Sequence, residues 1–498
     1  MMTHPAVAHS AEDTAIVANE TFILATRDTG YRDVAAAVAE LIDNSLQANA
    51  RHVRVFVRDE TSPEGRSITL GVLDDGHGMS AQTLQTALQF GGSHRFGDRS
   101  GLGRFGMGLP NSSVSQTRRF DVYSWQLPNV VLNSYLDVDE VARGSLRSVP
   151  TPVERSLPDW ASDHATTSGT LVVWTRCDRL GRHRASTIAQ RLFASLGRIY
   201  RYPLWAGVHI SINGTPLVPV DPLFLHHESR TRGATAFGAP LRYEFAGRSG
   251  DSALIEVRFS ELPVREWYDW TVEDKRRRGI VGGAGVSIVR AGREIDYGWY
   301  LMGSKRRENY DDWWRCEVRF SPELDELFGV THSKQGITPT TELRTVLGPD
   351  LEAVARTLNS RVRAAFEDAK VTLPSAASRV ASARDQFLPP PASSRRKLHG
   401  AGLTYRIDVA PLATPDFYRV ALVRGTVVVT LNSDHPFYAH VYEPIRNDHA
   451  SQERYHIECM LLAAARADLE ITDKQQREVL AQVRRSWADS LAAYLDSH

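Results

Sequence analysis

The amino-acid sequence predicts a mixed α/β fold divided among several domains. Its 498 residues exceed what one ordinary hydrophobic core accommodates. Stretches with the alternating pattern of β-strands, such as HVRVFVRD and SGTLVVWTR, are interspersed with stretches of helical periodicity, such as ASTIAQRLFASLGRIYRY. A segment rich in proline, serine and alanine precedes the last hundred residues and is typical of a linker.

Composition limits the class of protein. Charged residues make up 24% of the chain and the formal net charge is zero, which excludes a strongly basic body. The cysteines Cys177, Cys316 and Cys459 lie far apart, form neither a metal-ligand spacing nor a disulfide framework, and indicate a reducing compartment. No apolar run approaches the roughly 20 residues of a membrane span, and the N-terminus lacks the order of a signal peptide. We therefore expect a cytoplasmic protein without a membrane partner.

The order of strands, helices and linker predicts four segments. Residues 1–195 form a first α/β domain, and residues 196–372 form a second domain that ends in a long helical stretch, interrupted or kinked near Pro349. Residues 373–400 are the linker. Residues 401–498 form a smaller mixed domain, for which we expect dimerisation or partner binding.

One helix of the first domain has polar residues beside its apolar stripe. The stretch AELIDNSLQANA, residues 39–50, continues a helical apolar pattern through Leu41 and Ile42. Glu40 and Asn44 are four residues apart and therefore share a face next to that stripe. A carboxylate beside a core costs free energy unless it has a partner, so this helix is a candidate for a functional site.

Three shorter motifs follow along the first domain. DDGHGM places Asp74, Gly76 and Gly78 at the end of an apolar strand, where a buried carboxylate beside open backbone suits an amino group such as that of adenine. GLGRFGMGL, residues 101–109, can direct backbone N–H groups at phosphates where it enters a helix. SGT places Thr170 at the start of a strand. Each motif alone also fits an ordinary turn, surface loop or structural threonine.

Together, and in this order, the four motifs resemble those of the GHKL ATPase superfamily, which includes gyrase, heat-shock chaperones, histidine kinases and MutL. The resemblance implies a Bergerat-type α/β sandwich for residues 1–195, which would bind ATP and Mg²⁺. It extends from residue 20 to about residue 370 and implies an S5-like transducer domain for residues 196–372. The C-terminal domain has no confident match.

The resemblance also implies a role for each site residue. Glu40 would orient and deprotonate the water that attacks the γ-phosphate, and Asn44 would hold Mg²⁺ through its side-chain oxygen. Asp74 would bind the adenine amino group, supported by Thr170. The other nucleotide-binding positions are, near the base, Gly76, Gly78 and Met79, and, in the phosphate lid, Gly103, Gly106 and Gly108.

A lysine of the second domain completes the implied catalytic set. The segment FGVTHSKQGITPTTELRTVL places Lys334 in a polar loop before the long helix, and THSKQ is similar to the MORC segment whose lysine reaches the γ-phosphate. The chain has only six lysines and none before Lys275, which favours function over an incidental loop lysine. In one respect the match departs from MORC-like lids, because Pro110 stands in the segment where those lids carry a lysine.

Two further features leave alternatives open. REWYDWTVEDKRRRG and YLMGSKRRENYDDWWR combine cations with aromatic residues, which fits nucleic-acid binding and a charged face over core tryptophans about equally. In the C-terminal domain, His449, Glu453 and Glu458 resemble the metal motif of MutL endonucleases, although Asn447 stands in place of its leading aspartate. The start of an amphipathic helix is the preferred alternative.

The resemblance implies a Mg-dependent ATPase of MORC- or MutL-like type. Its ATP-gated dimerisation would act on DNA or on a DNA-processing partner, and restriction or anti-phage defence would suit a prokaryotic member. The alternatives are a non-hydrolysing nucleotide-gated adaptor, suggested by the altered lid, and a protein-remodelling chaperone. A histidine kinase is disfavoured because its ATPase unit comes last, and a gyrase-type topoisomerase because the sequence shows no cleavage module.

Overall fold

The mixed α/β fold predicted from the sequence is confirmed. The computed structural model describes residues 18–496 except 32, 63–64, 93–106, 181–183, 230, 247–251, 269, 331–335, 373, 394–401, 424, 447 and 449–450. The chain divides into two compact units, one drawn from Met1–Leu262 and Gly283–Asn359, the other from Pro263–Gly282 and Ser360–His498.

An eight-stranded sheet forms the first part of the first unit. Its strands are β1 (His52–Ser62), β2 (Gly65–Asp74), β3 (Arg119–Trp125), β4 (Leu132–Asp137), β5 (Val153–Glu154), β6 (Gly169–Thr175), β7 (His209–Ile212) and β8 (Thr215–Pro216). Their order is β5-β4-β3-β6-β2-β1-β7-β8, and every pair is antiparallel except β1 with β7. The sheet thus continues to Pro216, beyond residue 195, because a helical crossover returns the chain to the free edge of β1.

Eight helices in the described part of the chain accompany this sheet. They are α1 (Asn19–Asp28), α2 (Val34–Gln47), α3 (Ala81–Ala87), α4 (Gly108–Gln116), α5 (Val138–Ala142), α6 (Asp159–Ser162), α7 (Ala185–Ile199) and α8 (Arg201–Trp205). The α2 helix begins where the Asp33 carboxylate accepts a hydrogen bond from the Ala36 N–H at 2.8 Å. It contacts both α4 and α7, and Val38 and Ile42 lie fully buried in the core. Burial on several sides makes α2 a rigid support for the polar residues that it carries.

A second sheet completes the first unit. Its strands are β9 (Thr235–Ala236), β10 (Leu241–Ala246), β11 (Ser252–Glu261), β12 (Val286–Arg290), β13 (Arg293–Gly298) and β14 (Trp314–Phe320). The order is β10-β11-β14-β12-β13, with β9 paired to β11. The helices in this part of the chain are α9 (Val264–Trp267), α10 (Val272–Arg277), α11 (Asp325–Phe328) and α12 (Thr341–Thr372). Short stretches of 3-10 or π-helix in the described residues include Asn309–Trp313, Pro322–Leu324 and, further on, Tyr438–Tyr442.

The long helix α12 continues through Pro349, so it is not interrupted there. Leu343, Leu347 and Leu351 follow one another at four-residue spacing and are fully buried against the second sheet. This apolar stripe stabilises the helix on both sides of the proline, which removes one backbone N–H from the helical ladder.

The second unit contains α9, α10 and a three-stranded sheet with helices. Its strands are β15 (Thr404–Ala410), β16 (Tyr418–Val423) and β17 (Thr426–Asn432), in the order β15-β17-β16. Its further helices are α13 (Ala376–Asp385), α14 (Glu443–Arg446), α15 (Gln452–Asp468) and α16 (Lys474–Leu495). Within the segment predicted as a linker, α13 is therefore ordered, because Ser375 caps it and Ala377 is buried in the core of this unit.

Candidate active site

The carboxylate of Asp74 is held by three donors at the end of β2. Its Oδ1 accepts hydrogen bonds from the Gly76 N–H at 2.9 Å and the Thr170 N–H at 3.2 Å. Its Oδ2 accepts from the Ser45 hydroxyl of α2 at 2.8 Å. Burial raises the pKa of Asp74, while these hydrogen bonds act in the opposite direction. The result is a buried acceptor whose orientation is fixed from three sides.

The hydroxyl groups of Thr170 and Ser124 connect the strands next to this carboxylate. Thr170 lies opposite Asp74 in the β2–β6 pairing, and its hydroxyl is 2.9 Å from the Ser124 Oγ of β3. The Ser124 Oγ also accepts a hydrogen bond from the Met79 N–H at 2.8 Å. Neither Ser45 nor Ser124 was predicted from the sequence as a site residue. Ser45 follows Asn44 directly and could have been found there, whereas Ser124 carries no motif.

The two glycines after Asp74 are required by close packing. A Cβ atom on Gly76 would lie 2.7 Å from the Cβ of Ala48. Gly78 has a φ of +65°, and a Cβ atom there would lie 2.0 Å from the carbonyl oxygen of Trp125. Both positions therefore exclude larger residues, and the turn that follows β2 approaches the end of α2 and the β3 strand closely.

The Glu40 carboxylate lies at the other end of this segment of α2, against the start of α4. Glu40 is 4% exposed, and a Cβ atom on Gly108 would lie 2.2 Å from its Oε1. Gly108 is the first residue of α4, where backbone N–H groups lack helical partners and attract anions. Pro110 lies in this first turn, where its missing N–H has no intrahelical partner to lose. Asn44, one helical turn beyond Glu40, is partly exposed.

Asp43 is completely buried between these two ends of the site. Its Oδ1 accepts a hydrogen bond from the Tyr200 hydroxyl at 2.8 Å and one from the Arg293 Nε at 3.0 Å. Burial by itself lowers the pKa of Arg293, but the nearby Asp43 raises it above its usual value. This ion pair joins the first sheet's α2 to the second sheet's β13, and neither Tyr200 nor Arg293 was identified in the sequence.

Three predicted site residues lie outside the described part of the chain. They are Gly103 and Gly106 of the phosphate lid and Lys334 of the second domain. The structure therefore brings together Glu40, Asn44, Asp74, Gly76, Gly78, Met79, Gly108 and Thr170. The roles of these residues remain predictions.

The predicted C-terminal metal motif is only partly described, since Asn447 and His449 fall outside the described residues. Glu458 is 1% exposed and accepts hydrogen bonds from the Arg454 Nε and the Tyr442 hydroxyl, both at 2.7 Å. Among the residues that the structure describes, no three His, Cys, Asp or Glu side chains lie close enough together to form a metal site. Glu458 thus serves the internal packing of α15.

The two basic-aromatic stretches supply core residues. Trp267 and Tyr268 are buried within the second unit, and Trp313 and Trp314 are buried within the first. Lys305 is also buried, and its Nζ lies 2.7 Å from the Asp311 carboxylate. For these residues the structure favours the packing alternative over stacking on nucleic-acid bases.

Part of the chain matches known ATPases. Residues 31–169 match the model of the family described as histidine kinase-, DNA gyrase B- and HSP90-like ATPase. ATPase MORC2B of Mus musculus is 30% identical over 102 residues, which are 20% of this chain and 10% of the relative. ATPase MORC2 of Homo sapiens is 29% identical over 102 residues, again 20% and 10% of the two chains. Protein MICRORCHIDIA 6 of Arabidopsis thaliana is 30% identical over 105 residues, 21% of this chain and 16% of the relative.

The matched segment contains the α2 helix and the Asp74 turn and ends one residue before Thr170. The resemblance to the GHKL ATPases is therefore confirmed for residues 31–169. The shared segment covers less than a fifth of each of these relatives' own length. Among the helices that the structure describes, none combines the length and the apolar character needed to cross a membrane.

Proposed function

We propose, from the premise that this chain contains a GHKL-type ATPase domain related to the MORC ATPases, that it hydrolyses ATP in a Mg²⁺-dependent reaction. One observation carries this proposal. A single rigid helix, α2, holds Glu40 against the start of α4 and, five residues later, holds Ser45 against the buried Asp74. Five residues of helix span about 7.5 Å, so the implied base and the implied adenine acceptor are kept at a set separation.

The proposed reaction uses the polar groups of this helix and of the strand beside it. Asp74 accepts a hydrogen bond from the adenine amino group, which Gly76 and Gly78 allow to approach the backbone. Glu40 takes a proton from the attacking water, and the free N–H groups at the start of α4 face the phosphates. Phosphoryl transfer depends mainly on such positioning and on neutralisation of charge.

Asn44 fits the proposed Mg²⁺ ion. Its partly exposed side chain offers a hard oxygen donor one turn from Glu40, and Mg²⁺ is commonly held by one or two protein oxygens together with substrate phosphates. When bound, the ion supplies charge neutralisation on the phosphate oxygens. The protein residues would hold the nucleotide and orient the water.

We further propose that ATP closes two copies of the chain into a dimer, and that this change acts on DNA or on a DNA-processing partner. The support is the resemblance of the motifs to MORC and MutL ATPases, including THSKQ in the second domain. A role in restriction or anti-phage defence belongs to the same proposal. The non-hydrolysing adaptor and the protein-remodelling chaperone are the competing outcomes of its test.

Phosphate release from ATP should require Mg²⁺ and should increase when duplex DNA is added. The measurement is steady-state turnover with and without duplex DNA, in Mg²⁺ and in a chelator, at low and raised salt, because nucleic-acid contacts weaken with salt. Tight ATP binding without Mg²⁺-dependent release would identify an adaptor instead. An ATP turnover rate that does not change with DNA but increases with an unfolded protein would identify a chaperone.

Lys334→Ala should lower ATP turnover sharply while the affinity for ADP stays near that of the wild type. The reason is that ADP lacks the γ-phosphate that the lysine is proposed to meet, and its charge matters most as that phosphoryl bond breaks. Lys334→Arg should rescue poorly, since guanidinium is larger and planar. Turnover and ADP binding are compared with Lys474→Ala, which removes an exposed lysine at the start of α16. Wild-type turnover in Lys334→Ala would exclude the proposed role.

A further inference from the structure

The hairpin formed by β12 and β13 carries two buried arginines at its tip. Arg290 and Arg293 face each other across a two-residue turn, Ala291 and Gly292, whose φ angles of 48° and 78° are typical of a tight hairpin turn. Arg290 pairs with Asp325 within its own part of the fold, with Nε 2.6 Å from Oδ1. The buried side chain of Arg293 instead extends from the second sheet to α2.

Arg293 meets α2 at the turn that contains Glu40. Its Nε donates to the Asp43 Oδ1 at 3.0 Å, and Asp43 also accepts from the Tyr200 hydroxyl at 2.8 Å. The same Tyr200 hydroxyl contacts the carbonyl oxygen of Ala39, the residue just before Glu40. Residues 39, 40 and 43 lie within about one turn of helix, so these contacts hold the backbone on both sides of Glu40.

The Glu40 carboxylate belongs to the same buried cluster. Burial and the neighbouring Glu40 carboxylate raise the pKa of Tyr31. The negative charge of Glu40 is also close enough to Arg293 to act on it electrostatically. Arg293 therefore contacts Asp43 directly, and the charge of Glu40 acts on it from the same helix.

We propose that Arg293 is a positioning residue for ATP hydrolysis, which fixes the Glu40 segment of α2 through Asp43, the carboxylate that it shares with Tyr200. This inference depends on the ATPase function proposed above. It assigns Asp43 a place in the mechanism as the receiver of this contact. Through Arg293, the second sheet also contacts the α2 helix that carries Glu40, independently of any contact made by Lys334.

The rest of β13 is built to keep Arg293 in place. The next residue, Glu294, accepts hydrogen bonds from Arg201 of α8 at 2.9 Å and from Arg198 of α7 at 2.5 Å, and both helices accompany the first sheet. Further along the strand, Asp296 accepts from the Ile337 N–H at 3.2 Å. A shift of β13 would therefore move Arg293 relative to α2, and through Asp43 it would disturb the orientation of Glu40.

Arg293→Met tests the proposal, because methionine keeps much of the volume but removes the charge and the donors. We expect kcat per folded molecule to fall by up to ~10²-fold, the effect of a small misplacement of a catalytic group, while ADP affinity remains near the wild-type value. Arg290→Met is the matched control. It removes the other buried arginine of the same turn, whose ion pair is made with Asp325 in the second sheet's own part of the fold.

Folding is controlled by measuring the unfolding temperature and the fraction of molecules that bind ADP. A merely structural role predicts that Arg293→Met and Arg290→Met lose stability alike and keep the wild-type kcat per ADP-binding molecule, which would overturn the proposal. If Arg293→Met does not fold, Tyr200→Phe decides, because it retains the ring and removes only the hydroxyl that joins Ala39 and Asp43. A severalfold lower kcat in Tyr200→Phe with unchanged ADP affinity supports the proposal, and an unchanged kcat overturns it.

The wild-type protein separates the two levels of inference. If it shows no Mg²⁺-dependent turnover, the proposed ATPase function fails, and the role of Arg293 fails with it. If the wild type turns over and the variants of the Asp43 cluster turn over equally well, only the role of Arg293 fails.

Discussion

Glu40→Gln is expected to lower ATP turnover by about 10²–10⁴-fold while nucleotide affinity stays near the wild-type value, since a general base contributes typically this much. Glutamine keeps the volume of the side chain and its place against Gly108, but it cannot take a proton from water. Because ATP would bind and not be consumed, the variant should also accumulate in the ATP-closed dimer that we propose.

Three measurements test this expectation: phosphate release, ATP binding, and sedimentation with and without ATP. Glu154→Gln is the matched control, because it makes the same chemical change away from the site. Glu154 is exposed in the short edge strand β5. Turnover in Glu40→Gln equal to that of the control would exclude Glu40 as the base. If Glu40→Gln loses turnover as expected but forms no compact dimer with ATP, the proposed ATP-driven dimerisation is excluded and the hydrolysis proposal stands.

Asp74→Asn is expected to weaken ATP and ADP binding by roughly 1–3 kcal/mol, about 5- to 150-fold, the usual cost of disrupting a buried hydrogen-bonded group. An amide presents N–H donors where the carboxylate now accepts from Gly76, Thr170 and Ser45. At least one of these donors would then face another donor, and the acceptor proposed for the adenine amino group would be weakened.

Asp75→Asn provides a control at the neighbouring position. The Asp75 carboxylate accepts from the backbone N–H groups of Arg51 and His52, both at 2.8 Å, and makes no contact with the Ser45–Thr170 cluster among the contacts described above. Calorimetry with ADP should therefore distinguish the two variants by affinity. Equal affinities in Asp74→Asn and Asp75→Asn would remove Asp74 from the proposed adenine site.

Much of the candidate site could be predicted from the sequence because it is encoded by short motifs. Glu40 and Asn44 share one face of a helix by spacing alone, and the glycines after Asp74 mark a turn of restricted shape. Such signals depend on neighbours within a few residues, and the resemblance of the four motifs to those of the GHKL ATPases then implied what each residue would do. The mixed α/β class followed from the alternation of helical and strand periodicities.

The tertiary structure alone decided which distant residues meet these motifs. Ser124 reaches the Asp74 turn through the pairing of β3 with β6, and Arg293 reaches Asp43 across a separation of 250 residues. It also showed that Lys305 and Trp314, which sequence could place either on a nucleic-acid surface or in a core, are buried. The physical reason is that burial and long-range ion pairs depend on how sheets and helices pack together. A buried carboxylate must find a partner, but its position in the chain does not say which residue will provide it.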